Sequence, residues 1–386
     1  MSIVIKENKK PTEVQVELLF GGDFCPIRRY EEKILAEKQI FDADLLKTFE
    51  EKDLFVVNLE APFCTNYHNP KRHGGGLGVS PEIAKYLKEF KIDAVGLANN
   101  HILDKNQRGI EQTMKILEQS GIRHFGAGLN LAEAEKFAIF ELKGLKVGIL
   151  AVAERELNIA GIDTAGAAPF EPVLTAQKIT ALKDQVNFMV CYLHVGHEFM
   201  LTPSPRIRDA CRGFIDAGAD TVIAHHPHVP QGYEHYHGGW IFYSLGNLVF
   251  DSPYVSSYAE TDHGYLVKLT IDKHEFKCVE LIPYRLTPEI MVEAITGERK
   301  SNYADFLRKI SFWISDDKEF IKQWEINVAM RWEQDYQGML RNLSKRYCDA
   351  TDLPFLNNLR NLFSCPTHNE LLNQAFDMIE AGKIQR

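Results

Sequence analysis

The chain has 386 residues, 45% of them hydrophobic, and a formal net charge of -9 at pH 7. That length allows one large core plus an added segment, and the acidic balance argues against wholesale binding of a nucleic-acid backbone. The 7 cysteines are odd in number and widely spaced, with no CxxC, which argues against a disulfide framework and suits a reducing compartment.

The first fifteen residues, MSIVIKENKKPTEVQ, are polar and lack the apolar stretch of a secretion signal. No run of about 18 apolar residues occurs that could span a membrane. A cytoplasmic location is the expectation.

Short apolar runs bounded by turn residues predict buried strands at Val14–Phe20, Leu54–Leu59, Asp93–Ala98, Lys146–Val152, Asn187–Leu193 and Thr221–Ala224. Helical spacing lies between most of them, at Glu31–Glu50, Ser80–Phe90, Arg108–Ser120, Pro172–Gln185 and Pro205–Ala217. Ser80 and Ser204 stand as N-caps before prolines, and Gly121 and Gly218 follow as C-terminal stops. Alternation of this kind predicts an α/β fold, and near-continuous apolar strands imply a sheet covered on both faces. After residue 238 the pattern changes to strands without helices, at Trp240–Leu245, His263–Ile271 and Phe276–Pro283, the last two forming a hairpin. From about residue 287 the chain is charged and helical, with segments at Tyr303–Ser315, Lys318–Ser344 and Asn369–Ala381. The division expected is therefore a main domain over 1–286 and a helical extension over 287–386. The polar loop Thr65–Val79, with its glycine run, is expected to be mobile.

The informative residues follow the strands. Val14–Phe20 leads into Asp23, Leu54–Leu59 into Glu60, and Asp93–Ala98 into Asn99, Asn100 and His101. Asn187–Leu193 leads into His194, and Thr221–Ala224 into His225, His226 and His228. Ligands bind beyond the carboxyl ends of strands in open α/β sheets, so these five ends point to one site. Seven of the 14 histidines fall between His194 and His237. Imidazole and carboxylate together suit Mn, Zn, Fe or Ni. His226 and His228 can diverge to two ions or pinch one. Two ions about 3.5–4 Å apart would hold a water as hydroxide and offset charge on an anionic ester, while a histidine protonates the leaving group.

Each residue also has a plainer reading. Asp23 could close a Gly-Gly turn, and Asn99 and Asn100 could form one. Asn58 rivals Glu60, though only a carboxylate readily bridges two cations. His225 and His226 should point oppositely, and the His-x-His pair favours His226. Asp104 is expected to orient His101 or its loop. His197 and Glu198 could support the ligands or face substrate, and Asn247 could touch substrate. Cys25 is either a soft ligand or a small buried residue.

Taken in order, Gly22-Asp23, Asn58-Leu59-Glu60, Ala98-Asn99-Asn100-His101 with Asp104, His194 with Gly196, His225-His226-Pro227-His228 and Tyr243–Asn247 resemble the bacterial capsule-synthesis proteins. These are linked to poly-γ-glutamate synthesis and belong to the calcineurin-like metallophosphoesterase superfamily. The resemblance covers roughly residues 14–285. It implies a four-layer α/β/β/α sandwich, here with a C-terminal helical extension, and a centre of two divalent transition-metal ions. It further implies that Asp23 and His228 hold one ion, Asn100, His194 and His226 the other, and Glu60 both, with His101 as proton donor. Cys25 stands where the wider superfamily has histidine, and Asn-Leu-Glu replaces its usual Gly-Asp. The implied activity is hydrolysis of a phosphoester or related anionic bond in a small molecule or polymer. The alternative is a non-hydrolytic metal-binding part of a capsule-synthesis complex, docked to partner proteins.

Overall fold

The computed structural model describes residues 2–8, 14–66, 69, 76–273, 275–346 and 353–384, with backbone only at 342–346. Much of the loop expected to be mobile, and Cys348, lie outside the described residues. Among them the sheet nearer the N-terminus runs in the order Ile3–Glu7, Phe276–Leu286, His263–Ile271, Val16–Cys25, Leu54–Leu59, Ala94–Gly96, Arg123–Phe125. Asn247–Phe250 pairs alongside the end of Val16–Cys25, and Val292–Ala294 pairs with Phe276–Leu286. The second sheet runs Tyr233–Tyr236, Gly239–Phe242, Thr221–His225, Phe188–His194, Leu145–Ala153, Ala138–Leu142. Its four inner strands are parallel. Those of the first sheet from Val16–Cys25 to Arg123–Phe125 are parallel too. Both sets therefore deliver their carboxyl ends to one edge.

Aromatic contacts trace four layers. Phe55 of the first sheet packs on Phe49 of helix Ala43–Glu50, with ring centroids 4.8 Å apart. Between the sheets, Phe125 meets Tyr192 at 5.6 Å and Phe188 meets Phe276 at 5.1 Å. On the far side Ile179 of helix Pro172–Leu182 and Phe214 of helix Pro205–Asp216 bury against the second sheet. Every residue of Phe188–His194 is buried, as a strand between two covered faces requires. This is the α/β/β/α arrangement that the family resemblance implies.

Two local expectations are corrected. Glu31–Glu50 is two helices, Arg29–Leu35 and Ala43–Glu50. Between them Ile40 and Asp42 exchange backbone bonds with Val292, which outweigh continued helix, and the Asp42 carboxylate caps the second helix through Leu45 N at 2.8 Å. The first strand does not stop at Phe20 but runs to Cys25, so Asp23 lies within it. A register irregularity between Phe20 and Asp23 accommodates Gly21-Gly22.

The C-terminal part is helical from Gly297, with helices Gly297–Ser315, Asp317–Arg331, Gln337–Arg346, Leu353–Ser364 and Pro366–Glu380. Tyr303, Leu307 and Ile310 of its first helix bury in the main core. Trp324, Val328, Trp332, Leu371 and Ala375 build a separate small core around Met200 of the main body. A π-helical turn at Trp332–Tyr336 joins two of these helices. Leu353–Ser364 was not foreseen, because Pro354 and three asparagines weaken its pattern; proline is tolerated there in the first turn. No helix of the described residues is long and apolar enough to cross a membrane. The six cysteines among the described residues are unpaired.

Candidate metal centre

Asp23 is placed by glycine chemistry. Its N–H donates to Gly246 O at 3.1 Å, and a Cβ on Gly22 would lie 1.9 Å from that same oxygen. Only glycine permits this approach, and Gly246 itself has φ 76°. The strand Asn247–Phe250 then pairs beside Asp23 in register with Asn247.

Glu60 follows Leu59 and is fully buried, with neither carboxylate oxygen hydrogen-bonded. Imidazoles surround it: His194 Nε2 at 3.5 Å, His228 Nε2 at 3.8 Å and His101 Nε2 at 4.0 Å from Oε1. Burial pushes its carboxyl well above the usual range, and the neighbouring Asp23 carboxylate adds to the effect. Asp23 is likewise raised by burial, which His228 only partly offsets.

Two groups of ligand atoms form around it. Asp23, Glu60 and His228 supply atoms within 4.8 Å of one another, and so do Glu60, His194 and His226. Glu60 is common to both. Asn100 Oδ1 lies 3.0 Å from His194 Nε2, at the second group. The remaining contacts fix the rings. Asn247 Oδ1 lies 3.0 Å from His228 Nδ1, and its amide donates to His228 O at 3.1 Å. Asn58 Nδ2 donates to Asp23 Oδ1 at 2.7 Å and lies 3.2 Å from His194 Nδ1. Asn58 thus spaces two members of the cluster. Burial holds His194 well below the ordinary imidazole value and His228 down to about 4, so both are neutral with lone pairs to offer.

The turn after Thr221–His225 is backbone-strained. His226 has φ 101° and His228 φ 58°, in the left-handed region that non-glycine residues avoid. Such conformations cost about 1–3 kcal/mol each and gather at ligand sites. Here they turn both rings to the cluster, with centroids 6.1 Å apart. His225, one residue earlier, packs on Tyr192 at 4.6 Å, and neither of its ring nitrogens has a hydrogen-bond partner. Burial lowers it to about 3.

His101 is the most accessible imidazole of the cluster, with a side chain 25% exposed. Asp104 Oδ2 lies 2.8 Å from its Nδ1 and accepts from Leu77 N at 2.8 Å. Asn99 anchors the same loop by accepting from His101 N at 3.2 Å and donating to Leu59 O at 2.8 Å. Cys25 is buried without joining either ligand group, and burial beside Glu60 and Asp23 pushes its thiol well up. His197 turns away: its Nε2 meets Thr367 O at 2.8 Å, and its ring packs on Trp324. Its neighbour Glu198 stays near the cluster, with Oε1 4.0 Å from His228 Nε2.

Glu156 was missed. Its Oε1 lies 3.2 Å from His226 Nε2, and Asn100 Nδ2 donates to its other oxygen at 3.5 Å. Burial works against charge on His226, but Glu156 outweighs it and raises the imidazole; the same ion pair holds Glu156 well below the carboxylate range. Glu156 follows the strand Leu145–Ala153, so a sixth strand end feeds the site, and the carboxylates at Glu154 and Glu156 were the available signal. The C-terminal extension also reaches the centre. A cavity of about 160 Å³ is lined by Glu156, Glu198 and His226 on one side and by Arg331, Tyr336 and His368 on the other.

Two facing sheets between helices, with a buried imidazole and carboxylate cluster where their strands end, define an α/β protein with a candidate metal centre. The chain belongs to the bacterial capsule synthesis protein family PGA_cap, whose model matches residues 17–252. It is 30% identical over 272 residues to the PGA biosynthesis protein CapA of Bacillus subtilis (strain 168), covering 68% of this chain and 70% of that one. Against the capsule biosynthesis protein CapA of Bacillus anthracis it is 28% identical over 232 residues, 58% of this chain and 56% of that one. The chain thus spans little more than half the length of that relative. A solved 5'-nucleotidase precursor from Thermus thermophilus aligns over 78% of this chain and 60% of its own, at 14% identity and a TM-score of 0.42.

Proposed function

We propose that this chain is a two-metal hydrolase of a phosphoester or related anionic bond, serving capsule or poly-γ-glutamate polymer synthesis. One observation carries the reading: Glu60, a fully buried carboxylate with no hydrogen bond, faces three imidazole nitrogens within 4.0 Å. A buried charge left unpaired is costly, and divalent cations would compensate it. The donor set fits Mn, Zn, Fe or Ni. Asp23, Glu60 and His228 would hold one ion, and Glu60, Asn100, His194 and His226 the other. Bound ions supply a hydroxide at neutral pH and neutralise charge on the ester oxygens.

This chain's own residues do the rest. Glu156 receives the His226 Nε2 proton and aims that ring's Nδ1 at the cluster, an outer contact that typically orients metal-bound histidines. Asn247 Oδ1 does the same for His228 by accepting from Nδ1, so that Nε2 faces the cluster, whereas Asn58 presents its amide Nδ2 to His194 Nδ1 and fixes the position of that ring. Asp104 holds the His101 Nδ1 proton, so Nε2 faces the cluster from its accessible side. From there, when the ring carries a proton on both nitrogens, Nε2 can give one to a leaving oxygen, and Asp104 keeps the other on Nδ1. Arg331, Tyr336 and His368 of the extension line one side of the cavity beside the site.

Purified protein supplied with each of the four metals, and a chromogenic phosphomonoester or phosphodiester, tests the reading. Turnover lost in His101→Ala with metal content intact supports it; no turnover with any metal and substrate removes it. The names of the Bacillus relatives favour a second reading, a non-hydrolytic metal-binding component of a synthesis complex. Copurification with a synthase and an inert, metal-loaded centre would support that one.

A further inference from the structure

Helix Leu353–Ser364 lies beyond the family match and carries Asn357, Arg360, Asn361 and Ser364 at spacings of three and four, hence on one face. Asn361 lines the inner cavity beside Glu156 and His226. Asn357, Arg360 and Ser364 line a second cavity of about 490 Å³, walled on its other side by Arg155 and Leu157. The two cavities therefore share both walls. Along one wall, Glu156 borders the inner space while its neighbours Arg155 and Leu157 border the outer. Along the other, Asn361 borders the inner and Arg360 the outer.

The outer space is built for charge. Arg360 is exposed and makes no ion pair among the described residues. Among the described residues Arg155 pairs with Glu171 alone, at 3.1 Å, with side chains 51% and 47% exposed. Exposed pairs of this kind are worth little and exchange readily for a better anion. Amides from Asn69 and Asn106 complete the lining. Leu157 holds φ 65°, a strained conformation at the point where the wall turns between the cavities.

We propose that Arg155 and Arg360 form an outer anion subsite, which holds a second anionic group of an elongated polyanionic substrate whose reacting group lies at the inner centre. The position of that reacting group rests on the hydrolase reading; the subsite itself does not. Guanidinium forks match carboxylate and phosphate alike, so the shared chemistry is a polyanion.

Calorimetric titration of the full, metal-free chain with tetra-L-glutamate and, separately, with tripolyphosphate provides the test. At least one probe should bind, and Arg155→Glu with Arg360→Glu should weaken it at least tenfold and flatten its salt dependence. Arg155→Gln with Arg360→Gln serves if charge reversal prevents folding, as judged by melting temperature. Lys85→Glu with Lys309→Glu makes the same change in net charge elsewhere and should leave affinity within twofold. Equal weakening by both pairs, no weakening by the arginine pair, or no binding of either probe at millimolar concentration overturns the subsite. Preference between the probes identifies carboxylate or phosphate as the source. Arginine-dependent binding in a protein without turnover would keep the subsite and discard the hydrolase.

Discussion

Glu156 Oε1 lies 3.2 Å from His226 Nε2 and raises that imidazole to about 9, whereas burial lowers His194 and His228. A metal-binding His226 must shed a proton that Glu156 otherwise helps it keep. Metal affinity should therefore climb with pH through neutrality and level off near 9. Glu156→Gln removes the carboxylate that stabilises the cation. At pH 7.5 it should release about one proton fewer per chain on metal loading, measured by calorimetry in buffers of different ionisation enthalpy. An equal proton count in the two proteins would contradict the assignment. Above about pH 9, where the proton no longer competes, the same variant should lose roughly 10–100-fold in metal affinity, as loss of an orienting partner does.

His101 and Asp104 separate catalysis from metal binding. Removing a positioned general acid costs roughly 10²–10⁴-fold in rate. His101→Ala should show a loss of that size in kcat with unchanged metal stoichiometry by elemental analysis. Asp104→Asn leaves the ring but loosens its tautomer, so a smaller loss and a shifted pH–rate profile are expected. If both variants keep wild-type kcat, His101 is not the acid.

Glu60 is a liability in the absence of cations. Glu60→Gln replaces a buried carboxyl that has no hydrogen-bond partner, and that burial makes costly to ionise, with a neutral amide. Metal-free Glu60→Gln should be more stable than the metal-free parent by about 1–3 kcal/mol. It should also lose the rise in melting temperature that metal gives the parent. A variant less stable than the parent without metal would mean that Glu60 has protein partners after all.

His263 provides a pH test away from the centre. Burial lowers it, but hydrogen bonds to Asp262 at 2.6 Å and Glu260 at 2.7 Å outweigh this and raise it to about 9. Its folded value exceeds the unfolded value of about 6.5. The contribution is therefore complete below pH 6.5 and fades as pH rises through about 9. With partial exposure, a loss of about 1–3 kcal/mol is expected across that window. Denaturant titrations of His263→Gln should show a flatter profile there, and a profile as steep as the parent's would refute the assignment.

The order of strands along the chain, and the residues that follow each of them, could be read before any fold was known. Buried parallel strands are short apolar runs, and a polar residue after one must stand at a sheet edge. Asp23, Glu60, Asn100, His101, His194, His226 and His228 were legible for that reason. Which of them meet depended on the packing of the folded chain. Asn247 beside His228 and Glu156 beside His226 are contacts between segments whose spacing carries no signal, whereas Asp104 beside His101, three residues away in one loop, was expected from the sequence. His197 resembled its neighbours in sequence, yet a carbonyl from Thr367, far along the chain, turns it away. The extension likewise read as an appendage, because helical periodicity reports a buried stripe but not what that stripe is packed against. Local patterns record the solvent exposure of each element, whereas a site depends on distances between elements that solvent exposure does not encode.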